Sequence, residues 1–112
     1  MLAKTEMHGT VMLVTVNSKA LDASNSGGLK EELKPIVAQH KRLVLDLGQV
    51  EFVDSSGLGA LLSALRQANS LGGDIKLAQL SRAVRVVVEL TRMHRIFEIF
   101  ESAAAAVQSY EN

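Results

Sequence analysis

The residues best placed for chemistry lie in one run, Val53-Asp54-Ser55-Ser56-Gly57-Leu58-Gly59-Ala60-Leu61-Leu62. A buried-strand pattern ends just before it, and an amphipathic helix opens inside it. Two hydroxyls therefore fall where a helix start leaves backbone N–H groups without intrahelical partners. Such a place suits a helix cap. It also suits a phosphoryl group, because the free N–H groups and the helix dipole both favour an anion. As a cap, Asp54, Ser55 or Ser56 would contribute about 1 kcal/mol.

Sharper chemistries fail on spacing. Gly57-Leu58-Gly59 follows a strand and opens a helix, but Leu62 stands where a dinucleotide fingerprint needs its third glycine, and no GxxxxGK[ST] loop exists. The glycines read instead as a tight helix entry. A serine nucleophile on a strand-to-helix elbow needs G-x-S-x-G, whereas Val53 and Asp54 stand two residues before Ser55 and Ser56. His94 is a lone histidine and reads as a surface residue rather than a triad member. His8, His40 and His94 are far apart, with no HExxH pairing for a metal. No catalytic residue, metal ligand or cofactor is expected.

The whole chain agrees with a non-enzymatic reading. Its 112 residues suit one domain, 1–112. Hydrophobic residues make up 47%, which argues against disorder; aromatics are only 4%, so Leu, Val, Ile and Ala must build the core. Twelve basic and twelve acidic residues cancel and are scattered, leaving no footprint for nucleic acid or an anionic membrane. The chain has no cysteine, which excludes disulfides and thiolate metal sites. No apolar run approaches the ~18–20 residues that span a bilayer, and Met1–Glu6 has no signal core. A cytoplasmic protein is the expectation.

The elements that must position the serines follow from periodicity. Val11–Val16 reads as a strand, hairpinned with residues near Lys4–Met7. Ser24-Asn25-Ser26 reads as a helix start, followed by Leu29, Leu33, Ile36, Val37 and His40 at helical spacing. Pro35 predicts a kink or a shortened helix. Arg42–Leu47 reads as a central strand buried on both faces. The helix over 55–70 turns Leu58, Leu61, Leu62, Leu65 and Ala68 to one side, and Gly72-Gly73 ends it. Ile75–Ala78 is a shorter strand, and Ser81 caps a helix carrying Ala83, Val84, Val87 and Leu90. Ile96, Phe97, Ile99 and Phe100 form an apolar cluster with a helix turn and a last strand, before a terminal helix in 102–110. Alternation predicts an α/β domain: a mostly parallel mixed sheet of about four to five strands against about four helices.

Asp54-Ser55-Ser56-Gly57-Leu58-Gly59 after an apolar strand resembles the signature of anti-sigma factor antagonists. These are stand-alone members of the sulphate transporter and anti-sigma factor antagonist (STAS) domain family. Leu21-Asp22 resembles the family's turn ahead of its first helix, Leu45-Asp46-Leu47 its central strand, and Gly72-Gly73 its turn after the second helix. Ser81-Arg82-Ala83-Val84 and Ile96-Phe97 fit as well, so the resemblance covers nearly the whole chain. Two positions depart from it: Lys19-Ala20 replace the glycine expected before Leu-Asp, and Pro35 interrupts the first helix.

The resemblance implies a mechanism. The unphosphorylated protein binds an anti-sigma factor that is also a serine kinase, and the sigma factor is freed. The kinase phosphorylates a serine at the helix start, which separates the pair, and a metal-dependent serine phosphatase reverses the mark. Carried over by position, the phosphoacceptor is Ser55, and Ser56 is a cap or packing residue. Asp22 and Asp54 are the acidic neighbours, and Gly57, Leu58 and Gly59 complete the partner-binding surround. The residues themselves call for no cofactor and no nucleic-acid or membrane contact, and the Ile96–Phe100 cluster can pack internally or support a weak dimer, so a monomer or weak homodimer is expected. The alternative is a STAS scaffold or adaptor without phosphorylation, in a transport or signalling complex, where the serines only cap the helix.

Overall fold

The computed structural model describes residues 1–111. The apolar, β-branched run 11–16 forms strand β2 (Val11–Val16) and pairs antiparallel with β1 (Ala3–His8) across a tight turn, with Ala3 opposite Val16 and His8 opposite Val11. The chain then makes a two-residue strand, β3 (Ala20–Leu21), and helix α1 (Ser26–Gln39). Strand β4 (Arg42–Asp46) follows, then a second two-residue strand, β5 (Phe52–Val53), and helix α2 (Ser55–Ser70). The remainder is β6 (Asp74–Ala78), α3 (Arg82–Leu90), a 3-10 turn at Met93–Arg95, β7 (Ile99–Phe100) and α4 (Ala103–Ser109).

Two sheets result. The large one has the order β1-β2-β4-β6-β7, parallel except for the first pair; the small one is β3 paired parallel to β5, with Ala20 opposite Phe52 and Leu21 opposite Val53. Leu43, Val44 and Leu45 are buried because β4 is central and covered on both sides. Leu43 and Leu45 face the main core with Leu29, Leu33 and Val37 of α1, Leu61 and Leu65 of α2, and Val84 and Val88 of α3. Val44 faces the other way, with Val11, Ala78 and Ala106, under α4.

Lys76 is the buried charged residue of that second layer. Its Nζ donates to Ser109 Oγ at 2.7 Å and lies 4.0 Å from the centre of the Tyr110 ring and 3.6 Å from Glu98 Oε1. Tyr110 donates its hydroxyl to the Leu43 carbonyl at 2.9 Å. Burial, reinforced by the Asp74 charge, pushes the Tyr110 phenol well above its ordinary range. Among the described residues no helix is long and apolar enough to cross a membrane.

The element order and the α2 bounds agree with the sequence reading, and five details differ. Helix α1 is not shortened at Pro35: it runs on to Gln39, with Pro35 on its exposed side, where one lost backbone bond is least costly. His40 follows the helix as its extended C-cap residue. On α3, Val84 and Val88 turn inward, while Ala83 is exposed and Leu90 is 78% exposed. Ile96 likewise points to solvent, and Phe97 alone of that pair enters the core. Both differences arise where apolar residues occupy more than one side of a short element, so periodicity cannot choose the buried side. Strands β3 and β5 are also new.

Helix α2 ends in a glycine motif. Gly72 has φ +83, Gly72 N–H donates to the Asn69 carbonyl at 3.1 Å, and Gly73 N–H reaches back to the Ala68 carbonyl at 2.8 Å. Open space surrounds Gly72, so only its backbone conformation demands glycine. Gly72→Ala is expected to cost about 1 kcal/mol, and Gly72→Asn less, because asparagine tolerates the left-handed region. Urea denaturation that ranks Asn at or below Ala would refute this account.

Candidate functional site

The start of α2 is built from Asp54 outward. Asp54 is extended (φ −107, ψ −172), and its Oδ1 accepts the Gly57 N–H at 3.0 Å, while its carbonyl accepts the Leu58 N–H at 3.0 Å. Asp54 is therefore the N-cap among the three residues that could have served. Ser55 becomes the first helical residue and is exposed; Ser56, the second, is half-buried. Ser56 is thus not the cap. The helix start holds its aspartate by a hydrogen bond and leaves Ser55 exposed to solvent.

This helix start is seated on the small sheet. The Asp54 N–H donates to the Leu21 carbonyl at 3.1 Å, and the Glu51 and Phe52 N–H groups both donate to the Lys19 carbonyl, at 2.7 and 3.2 Å. Gly57 sits directly against the same strand. A Cβ there would lie 2.5 Å from the Leu21 carbonyl oxygen and 2.8 Å from both Leu21 Cβ and Val53 Cγ2. The glycine lets the first turn of α2 close onto Leu21, which is wholly buried. Leu58 is buried beside it and anchors the turn in the core.

Gly59 is different. It is exposed, and nothing lies within 4 Å of a Cβ built on it. It lines a groove of about 380 Å³ with Ser56, Ala60, Ser26, Gly27 and Lys30, between the first turns of α2 and α1. Gly27 is equally bare. Side-chain packing in the folded chain does not require glycine at position 59.

Asp22 follows Leu21 and so stands beside the seat of Asp54. Its Oδ1 accepts both the Ser24 hydroxyl, at 2.6 Å, and the Ser24 N–H, at 2.9 Å. These two bonds, the hydroxyl first, hold the Asp22 carboxyl below its ordinary value of 3.8. Both aspartates named from the sequence therefore belong to the Ser55 neighbourhood through one backbone contact, Asp54 N–H to Leu21 carbonyl. Two parts of the site escaped the sequence reading. One is the β3–β5 pair. The other is Phe52, an aromatic side chain left 54% exposed three residues before Ser55.

The three histidines lie apart from this helix start. His8 pairs with Glu6 at 3.1 Å on β1, His40 ends α1, and His94 lines a separate groove with Arg85 and Glu89. Among the described residues no group of three or more His, Cys, Asp or Glu side chains converges to hold a metal ion.

Comparison with known proteins is consistent in kind. The STAS domain family model matches residues 3–106. BtrV of Bordetella bronchiseptica is 30% identical over 101 residues, covering 89% of this chain and 87% of that protein. The anti-sigma-B factor antagonist of Bacillus subtilis is 28% identical over 88 residues, covering 79% of this chain and 81% of that one. In fold, the chain superposes on SpoIIAA in its unphosphorylated form with a TM-score of 0.81 at 18% identity, covering 97% and 96% of the two chains. The phosphorylated form of SpoIIAA from Bacillus gives 0.72 at 17% identity, covering 96% and 98%.

The two glycines of the motif should answer oppositely to alanine. Gly57→Ala forces backbone apart and is expected to destabilise the fold by about 1–3 kcal/mol, as overpacking does. Gly59→Ala meets open space and is expected to stabilise it by about 0.5–1 kcal/mol through helix propensity. Equal effects in chemical denaturation would contradict the seating of α2 on Leu21. For Asp22 the sign follows from its lowered pKa. Its contribution is present above the ordinary carboxyl value and is lost as pH falls through the lowered one. Ser24→Ala should therefore raise the Asp22 pKa in an NMR titration, and an unchanged midpoint would remove the hydroxyl as its main cause.

Proposed function

The chain belongs to the STAS domain family, and on that premise we propose that it is an anti-sigma factor antagonist switched by phosphorylation of Ser55. The unphosphorylated form binds an anti-sigma factor that is also a serine kinase, so that the sigma factor is freed. The kinase transfers the γ-phosphoryl group of ATP to Ser55 Oγ, releasing ADP and the hydroxyl proton. A serine phosphatase hydrolyses the ester and restores the binding form. The chain itself supplies no catalytic group. Its role is to present a substrate hydroxyl, in the cytoplasm, to another protein's active site.

One observation carries this reading: Ser55 is exposed at the first position of a helix whose cap is already supplied by Asp54. The hydroxyl is free for an incoming phosphoryl group without dismantling the helix start. The likeness to a protein named anti-sigma-B factor antagonist supports the same reading.

Magnitudes favour a switch that acts at the interface. A phosphate on Ser55 adds about −1.5 to −2 charges. The N-terminus of α2 favours it by about 0.3–1 kcal/mol, while the carboxylates of Asp54 and Asp22 oppose it. Solvent screens both terms at this exposed place, so the fold is unaltered. Buried against a partner, an unmatched charge costs about 3–5 kcal/mol, which is about 10²–10⁴ in affinity. Asp54, Ser56, Gly59 and Asp22 then form the surface on which the partner closes, while Gly57 and Leu58, expected there from the sequence, are buried beneath it and only shape it.

Incubation with ATP and the cognate anti-sigma factor kinase is expected to add one phosphate by intact mass, and Ser55→Ala none. Ser55→Asp is expected to lose binding to that kinase at least tenfold, in line with the charge penalty above. Phosphate uptake by the alanine variant would reject Ser55 as the acceptor, and full-affinity binding by the aspartate variant would reject the switch.

A further inference from the structure

Asn25 occupies the N-cap position of α1, and its type is among the best helix caps. Its side chain nevertheless makes no cap hydrogen bond. The amide turns away from its own helix and onto the loop before it. Its Oδ1 accepts the Asp22 N–H at 3.0 Å, and its Nδ2 donates to the Ala20 carbonyl at 2.8 Å and to Ser18 Oγ at 3.2 Å. Ser18 Oγ in turn donates to the Ala20 carbonyl at 2.8 Å.

These bonds hold both peptide groups that flank Leu21. The second of them is decisive, because the Asp22 N–H and the Leu21 carbonyl belong to one planar peptide unit. Asn25 grips its N–H side. The Asp54 N–H donates to its carbonyl side at 3.1 Å, and Gly57 packs against the same oxygen. The orientation set by Asn25 is therefore passed through one rigid plane to Asp54, and Ser55 is the next residue. Helix α1 forgoes its side-chain cap, and the acceptor loop gains a fixed frame.

We propose that Asn25 is a positioning residue for the Ser55 hydroxyl: it fixes the Leu21–Asp22 peptide on which the start of α2 is seated, so that Oγ meets the kinase in a reactive geometry. This rests on the reading of Ser55 as phosphoacceptor, but the structural half stands apart from it. Asn25→Asp is the discriminating substitution. It keeps a good cap residue and the acceptor for the Asp22 N–H, and it replaces the donor to Ala20 and Ser18 with a second acceptor.

The test uses the full chain with two readouts. Amide hydrogen exchange at Asp54 is expected to quicken about tenfold in Asn25→Asp, as local opening allows, while Leu45 and Leu77 in the core keep wild-type protection. With the anti-sigma factor kinase and ATP, kcat for phosphorylation is expected to fall about tenfold, with KM within about twofold, the mark of lost orientation rather than lost binding. Asn25→Ala should behave likewise, and Ser18→Ala, which leaves the Asn25 bonds to Ala20 and Asp22 in place, should approach wild type. Unchanged exchange at Asp54, or a rise in KM with kcat intact, overturns the proposal. A wild-type chain that takes no phosphate overturns the switch, while the exchange readout still decides whether Asn25 holds the loop.

Discussion

The arrangement of the site depends on one close approach, the first turn of α2 against the backbone of Leu21. Gly57 permits it, because any side chain there would overlap the Leu21 carbonyl oxygen. The same oxygen receives the Asp54 N–H, so packing and hydrogen bonding agree on a single position for the helix start. Everything exposed at that end of the molecule inherits its placement from this contact: the Asp54 cap, the solvent-facing Ser55 and the half-buried Ser56. A strand of two residues suffices for the purpose because it is pinned from both sides, by β5 and by the loop that closes on Asn25.

The contact also divides the motif into an inward and an outward face. Gly57 and Leu58 face inward, and their constraints are those of a core. Ser55 and Gly59 face outward, where the folded chain makes no demand on them. The motif is thus two interleaved patterns on one helical turn. A charge placed on the outward pattern can change what the surface binds while the inward pattern keeps the domain intact.

Much of this was legible in the sequence, and the reasons are local. Helix α2 has a capping residue at one end and a glycine in the left-handed region at the other, so both bounds were marked. Strand β4 was marked by Leu43-Val44-Leu45, a run that only a doubly covered strand explains. What escaped was nonlocal or ambiguous. Two residues carry no period, so β3 and β5 exist only through their pairing across thirty residues of chain. On α3 valines occupy several sides, and burial could not be assigned before the sheet was in place. Asn25 was misleading in a different way: its type and position announce a helix cap, and its side chain is used elsewhere. For Ser55 the sequence placed the hydroxyl at a helix start but could not say which of three residues would be the cap.

The buried Lys76 bears on a distant element. Its ammonium meets Ser109, the last residue of α4, and so sits at the negative end of that helix's dipole. Helix α4 has no basic residue in its own last turn; the charge it lacks arrives from strand β6. With only seven residues, an isolated helix of this length is marginal in water whatever its alanine content. Its helicity is therefore borrowed from the sheet beneath it, through a cation, an aromatic face and the Tyr110 bond to Leu43. Cut away from the sheet as a peptide, the segment would be largely coil.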